Sequence, residues 1–297
     1  MTTLPASVRA LVRAALVGVT AAMLSACQGL VFGTLNRGTS SAFPVTEAIY
    51  DEAHGLALDI HRPTPTKQPG AVVVFFYGGS WRSGSRSDYA FVGKALAEAG
   101  VLAIIADYRL YPRGRFPDFA FDAARAVQWA RDNAERYGGD PSRLFVAGHS
   151  AGAHIAALVA TDERYLANVG LRPRDLAGAI GIAGPYDFLP ITDPKLAEVF
   201  GTPEQWPGSQ PVNFVDGDEP PFLLLHGSAD RVVWKRNSEH LAARLLAAGE
   251  PVTLTRYDGI GHFRILAAVR YPRLAPTLRD VLAFVEQTPV APTLKAQ

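Results

Sequence analysis

From Val45 onward the chain alternates continuous apolar runs with segments whose apolar positions return every three or four residues. The run Ala71–Tyr77 (AVVVFFY) is β-branched and aromatic without a polar break, the pattern of a strand buried on both faces. Val101–Asp107, Leu144–Ala147, Ala179–Ala183, Phe222–Leu225 and Val252–Tyr257 are further candidate strands. Val45–Tyr50 and Leu56–Arg62 read as two edge strands joined by a turn at Glu52–Gly55. Helices are predicted over Ser87–Ala99, Phe119–Tyr137, Ala151–Thr161, Lys235–Ala248 and Pro272–Gln287. In the second of these, Phe121, Ala124, Val127 and Ala130 form an apolar stripe opposite a charged one, so the helix packs on a sheet. The alternation predicts an α/β fold with a mostly parallel central sheet and helices on both faces. Residues 186–219, rich in Pro, Gly and Asp, interrupt it for long enough to predict a small cap or binding loop.

The pattern changes before Val45. Arg9 and Arg13 precede an uncharged stretch, Ala14–Leu24, that is too short to span a bilayer and has the layout of a signal peptide. It runs into Leu24-Ser25-Ala26-Cys27, which resembles the bacterial lipobox, whose cysteine is acylated and becomes the mature N-terminus. The expected organisation is a lipoprotein signal peptide over residues 1–27, a tether over 28–44, a domain over 45–290 and a tail over 291–297. The expected address is the cell envelope, through a lipid on Cys27; Gln28, in place of an inner-membrane-retaining aspartate, favours the outer membrane.

Composition narrows the chemistry. Cys27 is the only cysteine in 297 residues, which excludes an intramolecular disulfide and thiolate metal sites. With 29 Lys and Arg against 28 Asp and Glu, net charge gives no reason for binding nucleic acid or anionic lipid.

The sharpest local signal is Gly148-His149-Ser150-Ala151-Gly152, a G-x-S-x-G lying between a predicted strand and a predicted helix. In that context Ser150 is a candidate nucleophile, with the following helix N-terminus favouring negative charge nearby. A serine hydroxyl needs a base, and the base needs a carboxylate to hold its tautomer. His262 fits the first role, in a glycine-rich loop after the strand candidate Val252–Tyr257. Asp230, just past Phe222–Leu225, fits the second and keeps the order Ser, Asp, His; Asp187 is the main rival and Asp258 reads as a turn residue. His149 reads as pocket lining, His154 as helix packing, His226 as a loop anchor, and His54, His61 and His240 as surface or turn residues. Gly78-Gly79-Ser80-Trp81 follows the longest apolar strand, where paired glycines let backbone N–H groups face the site and join the Ala151 N–H around an oxyanion. Trp81, His149, Phe188 and Trp206 are the candidate substrate-contacting residues.

Tyr77–Trp81, Asp107-Tyr108-Arg109-Leu110, Gly148–Gly152, Asp230 and His262 occur in the order of the α/β-hydrolase superfamily, and the chain resembles its hormone-sensitive-lipase-like and kynurenine-formamidase-like esterases over about residues 45–287. The resemblance implies an α/β-hydrolase fold and a serine carboxylesterase working through an acyl-enzyme, with no metal or cofactor. It places the oxyanion donors at the N–H groups of Gly79, Ser80 and Ala151. The substrate would be a small-molecule or polymer-side-chain ester. Two other readings stand beside it: an N-formyl amide hydrolase, suggested by Trp81 and Gly184–Pro190, and an inactive hydrolase-fold binding module. Tyr77 stands where the family carries His, from which an altered pocket polarity is expected.

Overall fold

The computed structural model describes residues 32–37, 45–63 and 68–288. Cys27, the lipobox, the first residues of the tether and the tail lie outside them. Among the described residues one eight-stranded sheet forms the centre, in the order β1-β2-β4-β3-β5-β6-β7-β8. Its strands are β1 (Thr46–Asp51), β2 (Leu56–His61), β3 (Gly70–Phe76), β4 (Leu102–Ala106), β5 (Gly139–His149), β6 (Gly178–Ile182), β7 (Phe222–Gly227) and β8 (Val252–Tyr257). The first two run antiparallel, and from β4 to β8 every pairing is parallel. Strands β3, β4 and β6 are buried along nearly their whole length, which is why they read as unbroken apolar runs.

The main helices are α1 (Ala90–Glu98), α2 (Asp118–Asn133), α3 (Ala151–Thr161), α4 (Glu163–Ala167), α5 (Pro194–Phe200), α6 (Arg236–Ala248), α7 (His262–Ala267) and α8 (Thr277–Gln287). On one face of the sheet Val73, Phe75, Ala147, Ile180 and Ile182 meet Val92 and Leu96 of α1 and Leu278 and Val281 of α8. Helices α2 and α3 pack on each other and on β3 and β5. Helix α3 is buried at every position, a consequence of its Ala-rich composition.

The differences from the sequence reading have local causes. The last long helix begins at Thr277 rather than Pro272, because Pro276 holds the chain outside the helix as its N-cap. Strand β5 extends back to Gly139 through a register shift against β3 that the polar segment Asp140–Arg143 conceals in the sequence. The 186–219 excursion carries α5 and two single 3₁₀ turns rather than an open loop. His61 is buried and faces Gly93 of α1, where a Cβ would come within 2.3 Å of its ring; it is core rather than surface. Residues 32–37 are no free tether. They form a helical turn whose Leu35 is buried, and the Asn36 amide donates to the carbonyls of Ser87 and Asp88 and accepts from Phe91 N–H.

The Asp107–Leu110 segment ties the sheet to α2. Asp122 of α2 exposes no side-chain surface and accepts from the Arg109 amide and guanidinium, at 2.8–3.0 Å, and from Arg125. Replacing Asp122 by Ala leaves the largely buried Arg109 guanidinium only its longer contacts with Asp118, so an unfolding loss of about 3 kcal/mol is expected by chemical denaturation.

Candidate active site

The chain leaves β5 at His149 and enters α3 at Ala151, so Ser150 alone makes the turn, at φ 56° and ψ −122°. A side chain there is strained, and the turn persists because its neighbours leave no alternative. The Ser150 N–H donates to Ile182 O at 2.9 Å. A Cβ on Gly152 would lie 2.0 Å from Phe76 O, and one on Gly148 would lie 2.3 Å from the Gly152 carbonyl. Only glycine at both positions lets β3, β5 and α3 close around the serine.

The turn brings the three sequence-selected side chains together. Ser150 Oγ is 2.9 Å from His262 Nε2, and His262 Nδ1 is 2.7 Å from Asp230 Oδ2. The other Asp230 oxygen accepts from the amides of Val232 and Val233 at 2.8 and 2.9 Å. Burial opposes charge on Asp230, but hydrogen bonding from His226 and His262 prevails and holds the carboxyl well below its usual range. The rival acids lie elsewhere. Asp187 accepts from exposed His240 at 2.6 Å, and Asp258 accepts from the Ser228 hydroxyl at 2.9 Å. His226 bonds Ser238 Oγ and the Val233 carbonyl, which anchors the loop after β7.

The Gly78–Trp81 segment turns through three consecutive positive φ values, 135° at Gly79, 54° at Ser80 and 57° at Trp81. Among the described residues no hydrogen bond takes up the amides of Gly79, Ser80 or Ala151, whereas Gly78 N–H donates to Tyr89 Oη at 3.0 Å. Tyr89 continues to His149 Nδ1 at 3.0 Å, and His149 Nε2–H donates to His262 O at 3.1 Å. One buried chain of hydrogen bonds thus joins the glycine turn to the histidine loop and fixes the His149 tautomer. Burial, with His262 close by, pushes His149 down to about 3. His149 borders the site but is almost wholly buried, so it is a support more than a wall. Tyr89 carries no motif, and nothing in the sequence marks it. Tyr77 lies beneath the turn, stacked on Tyr108, with its hydroxyl on Asp107 at 3.2 Å. It borders neither cavity of the site, so the expected change in pocket polarity does not arise.

Two cavities meet at Ser80 and Ser150. The first, about 360 Å³, is bordered by Trp81, Ala151, Phe188, Leu196 and Trp234 among others. The second, about 430 Å³, is bordered by Phe32, Tyr89, His149, His262 and Phe263. Of the candidate substrate-contacting residues, Trp81 and Phe188 border the first cavity, in a cluster with Phe200 and His154 at ring separations of 4.7–6.0 Å. Trp206 does not. Its indole N–H donates to Gly201 O at 3.0 Å, which ties it to the end of α5 and away from both cavities. Trp234 and Phe32 are cavity residues that the sequence reading missed, although Trp234 lies only four positions beyond Asp230.

The family model described as BD-FAE matches residues 58–245, which spans β2 to α6 and most of this site. The chain belongs to the BD-FAE family. This BD-FAE chain is 32% identical to esterase LipC of Mycobacterium tuberculosis, over 80% of its own length and 64% of LipC. It is 29% identical to a probable isoprenylcysteine α-carbonyl methylesterase of Oryza sativa, over 72% of its own length and 56% of that protein. It thus spans less than two thirds of each of these curated relatives. Among solved structures, Thermogutta terrifontis esterase 2 phosphonylated by sarin matches with a TM-score of 0.71 at 25% identity, over 86% of this chain and all of that one. The fold is that of the α/β hydrolases, as the order of motifs implied.

Burial also holds His154 and His61 down to about 4. The unfolded chain binds these protons near 6.5 while the folded chain refuses them, so the unfolded state gains protons first and stability falls as pH drops from about 6.5 towards 4. The slope is up to about 1.4 kcal/mol per pH unit for each histidine. Melting temperatures recorded from pH 7 to 4 should fall, and His154→Gln, which keeps a donor for Ser209 O, should flatten the decline.

Proposed function

We propose that this BD-FAE protein is a serine carboxylesterase. The observation that carries the reading is the Ser150–His262–Asp230 chain of hydrogen bonds beside three untaken backbone amides. The named relatives, both esterases, support it. Ser150 Oγ attacks the ester carbonyl carbon while His262 Nε2 takes the hydroxyl proton. Asp230 keeps the proton of His262 on Nδ1 and stabilises the imidazolium. The Gly79, Ser80 and Ala151 N–H groups hold the tetrahedral oxyanion, each contributing about 3 kcal/mol to the barrier reduction. His262 returns its proton to the departing alkoxide, leaving the acyl group on Ser150; water then repeats the sequence and releases the acid.

The two cavities divide the substrate. The alkoxide takes its proton from His262, so the alcohol occupies the second cavity, which His262 borders. The acyl group occupies the first, against Trp81, Phe188 and Leu196. A formyl group would place only a hydrogen in that cavity of about 360 Å³, so the ester reading is preferred to the N-formyl amide one.

Cys27, at the end of the lipobox-like segment, carries the anchor in this reading and places the enzyme in the envelope, on the outer membrane. Cys27→Ser should move the enzyme from the membrane fraction to the soluble one, and retention on the membrane would defeat the anchor.

Ser150→Ala should abolish hydrolysis of p-nitrophenyl esters at unchanged melting temperature, and a fluorophosphonate probe should label the parent and not the variant. Wild-type turnover by the variant would remove Ser150 from the mechanism. A panel of acyl and aryl esters with N-formylkynurenine alongside decides between ester and formamide.

A further inference from the structure

Three large apolar side chains stand in solvent around the mouth of the site. Val232, 61% exposed, borders both cavities; Trp234, 62% exposed, borders the first; Phe263, 44% exposed, borders the second. Around them lie four exposed cations, Arg231, Lys235, Arg236 and Arg264. The Arg236 guanidinium sits over the Trp234 ring at 4.9 Å, and among the described residues none of the four is held in a salt bridge. Against them stand few acids: Asp230 is buried beneath His262, Glu239 pairs with Arg256, and Asp258 and Asp88, the latter bordering the second cavity, accept from the Ser228 and Ser85 hydroxyls. A chain that is almost neutral overall is therefore locally cationic and apolar at one place, the entrance to its site.

The N-terminal segment reaches the same entrance. Phe32, the first described residue, borders the second cavity and packs on Tyr89 at a ring separation of 5.2 Å. It lies five positions after Cys27, a reach of at most about 18 Å.

We propose that this rim is an interfacial surface that seats the mouth of the site on an anionic lipid membrane. Trp234, Val232 and Phe263 enter the headgroup boundary, where an indole is well matched, and the four cations meet lipid phosphates. The anchor then fixes orientation as well as location, and esters enter from the lipid surface. That last statement rests on the esterase reading; the seating itself is read by binding alone.

The test uses the mature chain, from position 27 onward, carrying Cys27→Ser, so that neither a covalent lipid nor the apolar signal segment contributes. Its binding to phosphatidylcholine vesicles, with and without phosphatidylglycerol, is measured by cosedimentation and by tryptophan emission. The expected result is binding that requires phosphatidylglycerol, with a blue shift in emission that Trp234→Phe removes. Lys235→Gln with Arg264→Gln, neither of which borders a cavity, should weaken binding on the order of twentyfold while p-nitrophenyl acetate turnover in solution is unchanged. Equal binding to both vesicle types, or undiminished binding by the double variant, would overturn the proposal. So would a blue shift that appears on raising protein concentration without vesicles, since a second copy of the chain would then be the occupant. Vesicle binding with no ester turnover would leave the surface standing and remove the enzymatic reading.

Discussion

The close approach of three backbones around Ser150 is the constraint on which the rest depends. Where Phe76 O, Gly148 and Gly152 meet there is no volume for a single extra carbon, and the serine between them is forced to a positive φ. This strain is carried by the surrounding sheet. Strand β5 is central, flanked by β3 and β6, and the Ser150 amide is itself bonded to the end of β6. The backbone thereby holds the serine at the sheet's edge, where its hydroxyl meets His262 Nε2 at 2.9 Å.

What the sequence makes legible and what it hides follow the range of the interactions. Ala71–Tyr77 and Ala151–Thr161 are readable because full burial leaves a continuous apolar signature, and each matches an element to within about one residue. Ser150, Asp230 and His262 are readable because each follows a strand end in a glycine-marked or loop setting, and geometry brings them within hydrogen-bonding distance. Tyr89 is hidden because its role is made by Gly78, 11 positions away, and His149, 60 positions away, and neither contact leaves a local pattern. Trp206 misleads for the complementary reason. An aromatic residue in an irregular segment resembles a ligand contact, yet here its indole closes the short turn after α5.

The buried polar groups divide into two kinds. Asp122 holds two arginines and the start of the Asp107–Leu110 segment in place, so it serves the scaffold. His149 lies against the His262 loop and shares Tyr89 with the Gly78 turn, so it serves the site. A neutral His149 suits the proposed mechanism, in which a second positive charge beside His262 would oppose the imidazolium formed on proton transfer from Ser150.

Residues 32–37 pack Leu35 into the core and set Phe32 against the cavity that His262 borders. The boundary of the folded domain consequently falls upstream of the first strand, in a stretch whose sequence looks dispensable. A version trimmed to Val45 for convenience would keep the sheet and every motif while lacking Phe32 at the edge of the cavity that His262 borders, and would present a different pocket.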